Sequence, residues 1–161
     1  MTQKEYTLLA DQLMRTHHQG QTRNDKKTPY YTHPLAVEVI AVQIAKLYIT
    51  RLMLAFPDIG EDDLIEFVRQ VAKMHDLIED TDITIEYLRE QGFHSIVVEA
   101  ISRITKHPVK GAESYLDYLW RVIGHFISRI VKLADLKHNM SDLKPGNMLD
   151  KYVLADHFLA I

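Results

Sequence analysis

The chain has 161 residues, 47% of them hydrophobic and 25% charged, with a formal net charge of −3 and no cysteine. That length suits one domain with a proper core better than two, so residues 1–161 are read as a single domain. The weak negative charge supplies no basic field for a nucleic-acid duplex. Missing thiols exclude disulfides and thiolate ligands, which leaves His, Asp and Glu to hold any metal. No apolar run approaches a membrane span and the N-terminus lacks an apolar signal core, so the expected location is the cytoplasm, with no membrane partner.

Six glycines and five prolines fall between long stretches whose apolar residues recur every three or four positions, the signature of helix. The expected fold is all-α, a helical bundle. A first helix over 4–17 carries the stripe Tyr6, Leu8, Leu9, Leu13 and Met14, and a polar loop over 20–29 follows. Pro34 suits the first turn of a second helix, where a missing N–H costs nothing. Its apolar pattern runs on to Phe56, and 57–60 breaks it. Residues 61–75 read as a third helix that delivers His75-Asp76 near its C-terminal end. Thr84 caps a short helix through Gln91, and Gly92 stops it. Further helices are expected over 93–104, 114–123 and 125–143, with a final one beyond the loop 144–147.

Several of these segments carry chemistry. On a continuous helix Glu79 follows His75 by four residues and Asp76 by three, and Asp80 follows Asp76 by four, so one face would gather an imidazole and three carboxylates. Such a cluster repels itself unless a cation or protonation neutralises it. Taken alone, it also reads as a solvated acidic helix end. Asp135 lies among Phe126, Ile127, Ile130, Val131, Leu133 and Ala134, where an ionised carboxylate is costly without a partner. An ion pair with Lys132 or Lys137 is the plain alternative to metal ligation there. Asn139, four residues on, shares the face of Asp135 and can reach the same site through a hydrogen bond.

His33 opens the second helix, where a surface histidine is ordinary. Together, however, His33, His75, Asp76 and Asp135 are ligand types suited to a first-row divalent ion, coming from three helices. Two imidazoles and two carboxylates leave positions open for water and substrate, the mark of a catalytic rather than a structural site. Arg23, Lys26 and Lys27 place three cations within five positions beside Tyr30 and Tyr31. That loop can hold phosphates and stack a purine, or remain a solvated basic surface. Among the other histidines only His138 neighbours the site in sequence, and on a helix it points about 100° away from Asn139.

In chain order, Gly20-Gln-Thr-Arg23, Pro29-Tyr30-Tyr-Thr-His33-Pro34, His75-Asp76-Leu-Ile-Glu79-Asp80-Thr81, Glu113-Ser-Tyr-Leu-Asp-Tyr118 and Lys132-Leu-Ala-Asp135-Leu-Lys-His-Asn139-Met resemble the HD-domain hydrolases of the alarmone (p)ppGpp. The resemblance covers most of the chain. It is to the hydrolase half of the RelA/SpoT proteins and, by length, to the stand-alone small alarmone hydrolases. It implies a manganese ion held by His33, His75, Asp76 and Asp135, with Glu79 and Asp80 as the acidic pair that orients and deprotonates the attacking water. It also implies Arg23, Tyr30 and Asn139 at the nucleotide, and Lys26 and Lys27 are expected at its phosphates. The implied reaction removes the 3′-pyrophosphate of guanosine tetra- or pentaphosphate, giving GDP or GTP and pyrophosphate.

The chain departs from the family pattern in three places. Asn24-Asp-Lys-Lys-Thr28 stands where Lys-Ser-Gly-Glu is usual, residues 48–60 look like extra sequence between His33 and His75, and Leu136 replaces a frequent arginine. Two other readings stay open: an HD phosphohydrolase acting on a deoxynucleoside monophosphate or a nicotinamide dinucleotide phosphate, and a regulatory module that binds a nucleotide without cleaving it. Glu79 and Asp80 argue against the second, since a binder needs neither.

Overall fold

The computed structural model describes residues 1–161 as ten helices, with one isolated antiparallel bridge between Thr22 and Pro29. In chain order they are α1 Gln3–His17, α2 Thr32–Leu47, α3 Ile49–Ala55, α4 Glu61–Met74, α5 Leu77–Asp80, α6 Ile85–Glu90, α7 Ser95–Ile104, α8 Tyr115–Ile123, α9 Phe126–Ser141 and α10 Asn147–Leu159. The expected all-α fold is what forms. None of these helices is long and apolar enough to cross a membrane.

Local chemistry sets most of the boundaries. Thr2 and Glu5 close a capping box on α1, and the hydroxyls of Thr84 and Ser114 accept from the third backbone N–H of α6 and α8, satisfying donors that a helix start leaves free. Gly92 ends the α6 turn at φ +85°, where a Cβ would stand 2.6 Å from the Tyr6 hydroxyl.

Two boundaries differ from the sequence reading. The single helix expected over 34–56 is two, with Tyr48 at φ −111°, ψ 27° turning the chain between α2 and α3. Both pieces pack on α4 and α9, so the apolar rhythm continues across the turn and conceals it. The helix read over 61–75 ends at Met74. His75 is its C-cap and Asp76 turns before α5, so Glu79 and Asp80 ride a separate short helix rather than one continued face.

At the centre lies α4, packed against α1, α2, α7 and α9. Leu64, Phe67, Val68, Val71 and Met74 on it are almost wholly buried, each worth about 1.5–3 kcal/mol of transfer free energy. A smaller apolar cluster, including Tyr118, Leu133, Leu136 and Leu159, joins α8 and α10 to α9. One charge is built into the main packing. Lys73 of α4 is 6% exposed, with Nζ 2.6 Å from Glu38 Oε2 on α2 and 3.1 Å from Asp11 Oδ1 on α1. The start of α2, the end of α4 and the third turn of α9 meet where His33, His75 and Asp135 lie.

Candidate metal centre and active site

His33 sits in the first turn of α2, His75 caps α4, and Asp135 lies in the third turn of α9. All three are buried, and they offer ligand atoms within 4.8 Å of one another, a possible metal-binding triad. His33 Nε2 is 3.0 Å from Asp135 Oδ1, and His75 Nε2 is 3.6 Å from the same oxygen. Asp76 joins from the turn after α4, its Oδ2 2.9 Å from His75 Nε2 and 3.7 Å from His33 Nε2.

Outer contacts aim these groups inward. His75 Nδ1 lies 2.7 Å from the Ala72 carbonyl, which can only accept, so the Nδ1–H donates and Nε2 keeps its lone pair for the cluster. That Nε2 is buried and has no aligned hydrogen-bond partner, although it is close to the Asp76 carboxylate. His33 Nδ1 lies 2.7 Å from His138 Nδ1, so one ring must donate to the other. If His33 presents the Nε2 lone pair, it is the donor and His138 the acceptor. His138 thus reaches the cluster through His33, whereas its neighbour Asn139 reaches it through Asp135.

Electrostatics separate the two imidazoles. Burial holds His33 below the usual histidine value against the pull of Asp135, whereas at His75 burial is overcome by Asp76 and Asp135 and the value rises. Asp135 resists burial through Lys132, His33 and His75, and is held well below the carboxylate range. Asp76 resists it chiefly through His75, and is also held down. Two buried nitrogens and two ionised oxygens converging on one point, one nitrogen unpartnered, fit a first-row divalent ion.

The cluster forms one end of a polar cavity of about 210 Å³, also lined by Glu79, Asp80, Lys106, Tyr118 and Lys132. Glu79 Oε1 accepts from the Lys106 backbone N–H at 2.6 Å. Asp80 is pushed above the usual carboxylate value by partial burial and by Asp76 and Glu79. Tyr30 donates its hydroxyl to Asp76 Oδ2 at 2.5 Å and stacks against His18, centroids 4.7 Å apart. Asn139 donates Nδ2 to Asp135 Oδ1 at 2.7 Å and accepts from Arg23 Nη2 at 3.1 Å. A second cavity of about 410 Å³, lined only by polar and charged residues, opens beyond Arg23 toward Asp25 and Asp142.

Lys26 and Lys27 are not brought in. Both are exposed, and neither lines the cavity beside the His33–His75–Asp135 cluster or the cavity beyond Arg23. Their loop is folded by the Asp25 carboxylate, which accepts from the Lys27 and Thr28 N–H groups and the Thr28 hydroxyl, and Lys26 sits at φ 58°. The sequence assigns no role in the site to Lys106, Lys132, Tyr118 or His138, which the fold brings to it. From the sequence, Lys132 is one of two candidate ion-pair partners of Asp135, an alternative to metal ligation there. It is that partner, Nζ to Oδ2 2.7 Å, but buried and facing the cavity, and its i, i+3 spacing was the available signal. Lys106 carries no such signal, since tertiary folding alone brings it to Glu79.

No family model matches the chain. Among characterised proteins it is 30% identical over 133 residues to the Escherichia coli bifunctional (p)ppGpp synthase/hydrolase SpoT, an alignment covering 78% of this chain and 16% of that protein. It is 29% identical over 136 residues to the human guanosine-3′,5′-bis(diphosphate) 3′-pyrophosphohydrolase MESH1, covering 83% of this chain and 66% of that one. The chain therefore spans about a sixth of the bacterial relative's length. A solved structure of a metazoan SpoT orthologue that hydrolyses ppGpp superposes with a TM-score of 0.65 at 20% identity, over 96% of this chain and 83% of that one. The chain is thus similar in sequence to guanosine-3′,5′-bis(diphosphate) 3′-pyrophosphohydrolases and shares the helical fold of a solved relative.

Proposed function

We propose that the chain is a manganese-dependent phosphohydrolase that removes the 3′-pyrophosphate of guanosine tetra- or pentaphosphate, releasing GDP or GTP and pyrophosphate. The carrying observation is the convergence of two buried imidazoles and the Asp135 carboxylate, with Asp76 beside them, in a polar cavity whose wall bears Glu79 and Asp80. The names and activities of the relatives support the substrate. In this reading His33, His75, Asp76 and Asp135 hold the ion. When bound, it would supply Lewis acidity at the phosphoryl oxygens and acidify a water.

The chain's own groups supply the rest. The water oxygen bonds to the phosphorus attached to O3′, the P–O3′ bond breaks, and the 3′ oxygen leaves with a proton. Glu79 holds the water in line and accepts its proton. Asp80, its carboxyl pushed up by partial burial and by Asp76 and Glu79, is the group suited to return a proton. Lys106 and Lys132 offer positive charge to the pyrophosphate. Arg23 and Asn139 stand between the two cavities, where they would hold the nucleoside as it extends from one to the other.

The test is to load the protein with Mn²⁺ and follow pyrophosphate and phosphate release from ppGpp, deoxynucleoside monophosphates and NADPH. Pyrophosphate from ppGpp is expected, and Glu79→Gln should lower kcat by about 10²–10⁴-fold, the usual worth of a general base. Turnover of a monophosphate without ppGpp turnover would replace the substrate. Tight ppGpp binding without turnover of any of these would make the chain a binding module.

A further inference from the structure

The segment Glu113-Ser-Tyr-Leu-Asp-Tyr118 supplies no metal ligand and no acid or base, yet with Arg121 it makes the densest polar contact outside the cluster. The Arg121 guanidinium is paired with Glu113 through two parallel bonds, Nε to Oε1 at 2.8 Å and Nη2 to Oε2 at 2.9 Å. The same guanidinium donates to the carbonyls of Ser102 at 2.9 Å, Arg103 at 2.8 Å and Thr105 at 2.9 Å. The Tyr118 hydroxyl donates to the Ile104 carbonyl at 2.7 Å. Four consecutive carbonyls at the end of α7, the groups a helix terminus leaves unpaired, are thus taken by two side chains of α8.

The next residue is Lys106. Its backbone N–H donates to Glu79 Oε1 at 2.6 Å and its Nζ lies 3.9 Å from Glu79 Oε2. The Tyr118 ring completes the arrangement, 6.0 Å from Lys106 Nζ and 5.6 Å from Lys132 Nζ, and all three residues line the cavity of the metal cluster. A planar guanidinium held by a bidentate carboxylate has little freedom, so the chain at 105–106 is fixed where it emerges from α7.

We propose that Glu113, Tyr118 and Arg121 are positioning residues, a clamp on the C-terminal carbonyls of α7 that fixes the Lys106 amide and ammonium against Glu79 and so orients its carboxylate for the reaction. This rests on the role given to Glu79 under Proposed function. A clamp that only glued α8 to α7 would stabilise the fold and leave Glu79 indifferent to it.

Arg121→Lys keeps the charge but loses the fork. In Mn²⁺-loaded protein that remains folded at the assay temperature, it should lower kcat for ppGpp about 10-fold or more, since small misplacements of reacting groups carry such costs, with KM and Mn²⁺ affinity within about twofold of the parent. In a Glu79→Gln background the same change should cost nothing further, because both substitutions then act on one group. The Lys106 amide resonance in ¹H–¹⁵N spectra should move in the same direction in Arg121→Lys and in Glu79→Gln. Should Arg121→Lys not fold, Tyr118→Phe and Glu113→Gln carry the same three measurements. If Glu79→Gln impairs turnover while the clamp variants leave kcat and the Lys106 amide unchanged, or add fully to Glu79→Gln, the clamp proposal is overturned and the reading of Glu79 stands. If Glu79→Gln turns over normally, both fall.

Discussion

Tyr30 makes one contact that decides what it can do. Its hydroxyl donates to Asp76 Oδ2, the oxygen that approaches both imidazoles, so it orients a proposed ligand rather than waiting free for a purine. Groups that hold metal ligands typically matter 10–100-fold in metal affinity. Tyr30→Phe should therefore weaken Mn²⁺ binding by about that factor in a calorimetric titration. Unchanged metal affinity with a raised KM for ppGpp would return Tyr30 to the substrate. The type of each residue in the cluster was readable from the sequence because buried His and Asp are costly and so conspicuous. The partners that aim them were not: Tyr30 to Asp76, His138 to His33 and Lys106 to Glu79 join residues 46, 105 and 27 positions apart, and only the fold creates those distances.

At the scale of elements, helical periodicity located the helices but not the turns between them. Tyr48 separates two helices that share one apolar rhythm because both bury against the same neighbours. The turn at His75-Asp76 is concealed for a different reason, since its residues serve the cluster rather than the core. What holds α1, α2 and α4 in register below that turn is partly ionic. Lys73 bridges Asp11 and Glu38, and Arg69 approaches Glu38 Oε1 at 2.9 Å. Breaking a buried pair by removing one partner typically costs 3–5 kcal/mol, because the other charge is stranded. Lys73→Met should accordingly destabilise the fold, by about 3 kcal/mol in urea denaturation since Arg69 still serves Glu38. Restoring neutrality with Lys73→Met/Glu38→Gln should recover part of that loss. A single variant as stable as the parent would show that Arg69 alone suffices.

For the whole molecule, acid sensitivity has a source remote from the cluster. His125, at the start of α9, is 6% exposed with neither ring nitrogen hydrogen-bonded. Its ring packs on Phe56, centroids 5.2 Å apart. Burial lowers its pKa to about 4, with Arg103 adding to the effect and Glu99 opposing it. In the unfolded chain a histidine titrates near 6.5, so between those two values the unfolded state binds the extra proton and the folded state does not. Stability is then complete above about pH 7, declines as pH falls through the unfolded value, and stops declining once the folded value is passed. The separation of the two values corresponds to about 3 kcal/mol. His125→Phe keeps a ring against Phe56 and removes the proton site along with two unsatisfied nitrogens. The stability of that variant relative to the parent should rise by about this amount between pH 7 and pH 4. Carboxylates elsewhere contribute equally to both proteins and cancel in the difference. A difference that stays flat across this range would mean that the folded protein accommodates the imidazolium at His125, and that the acid limb arises at other groups.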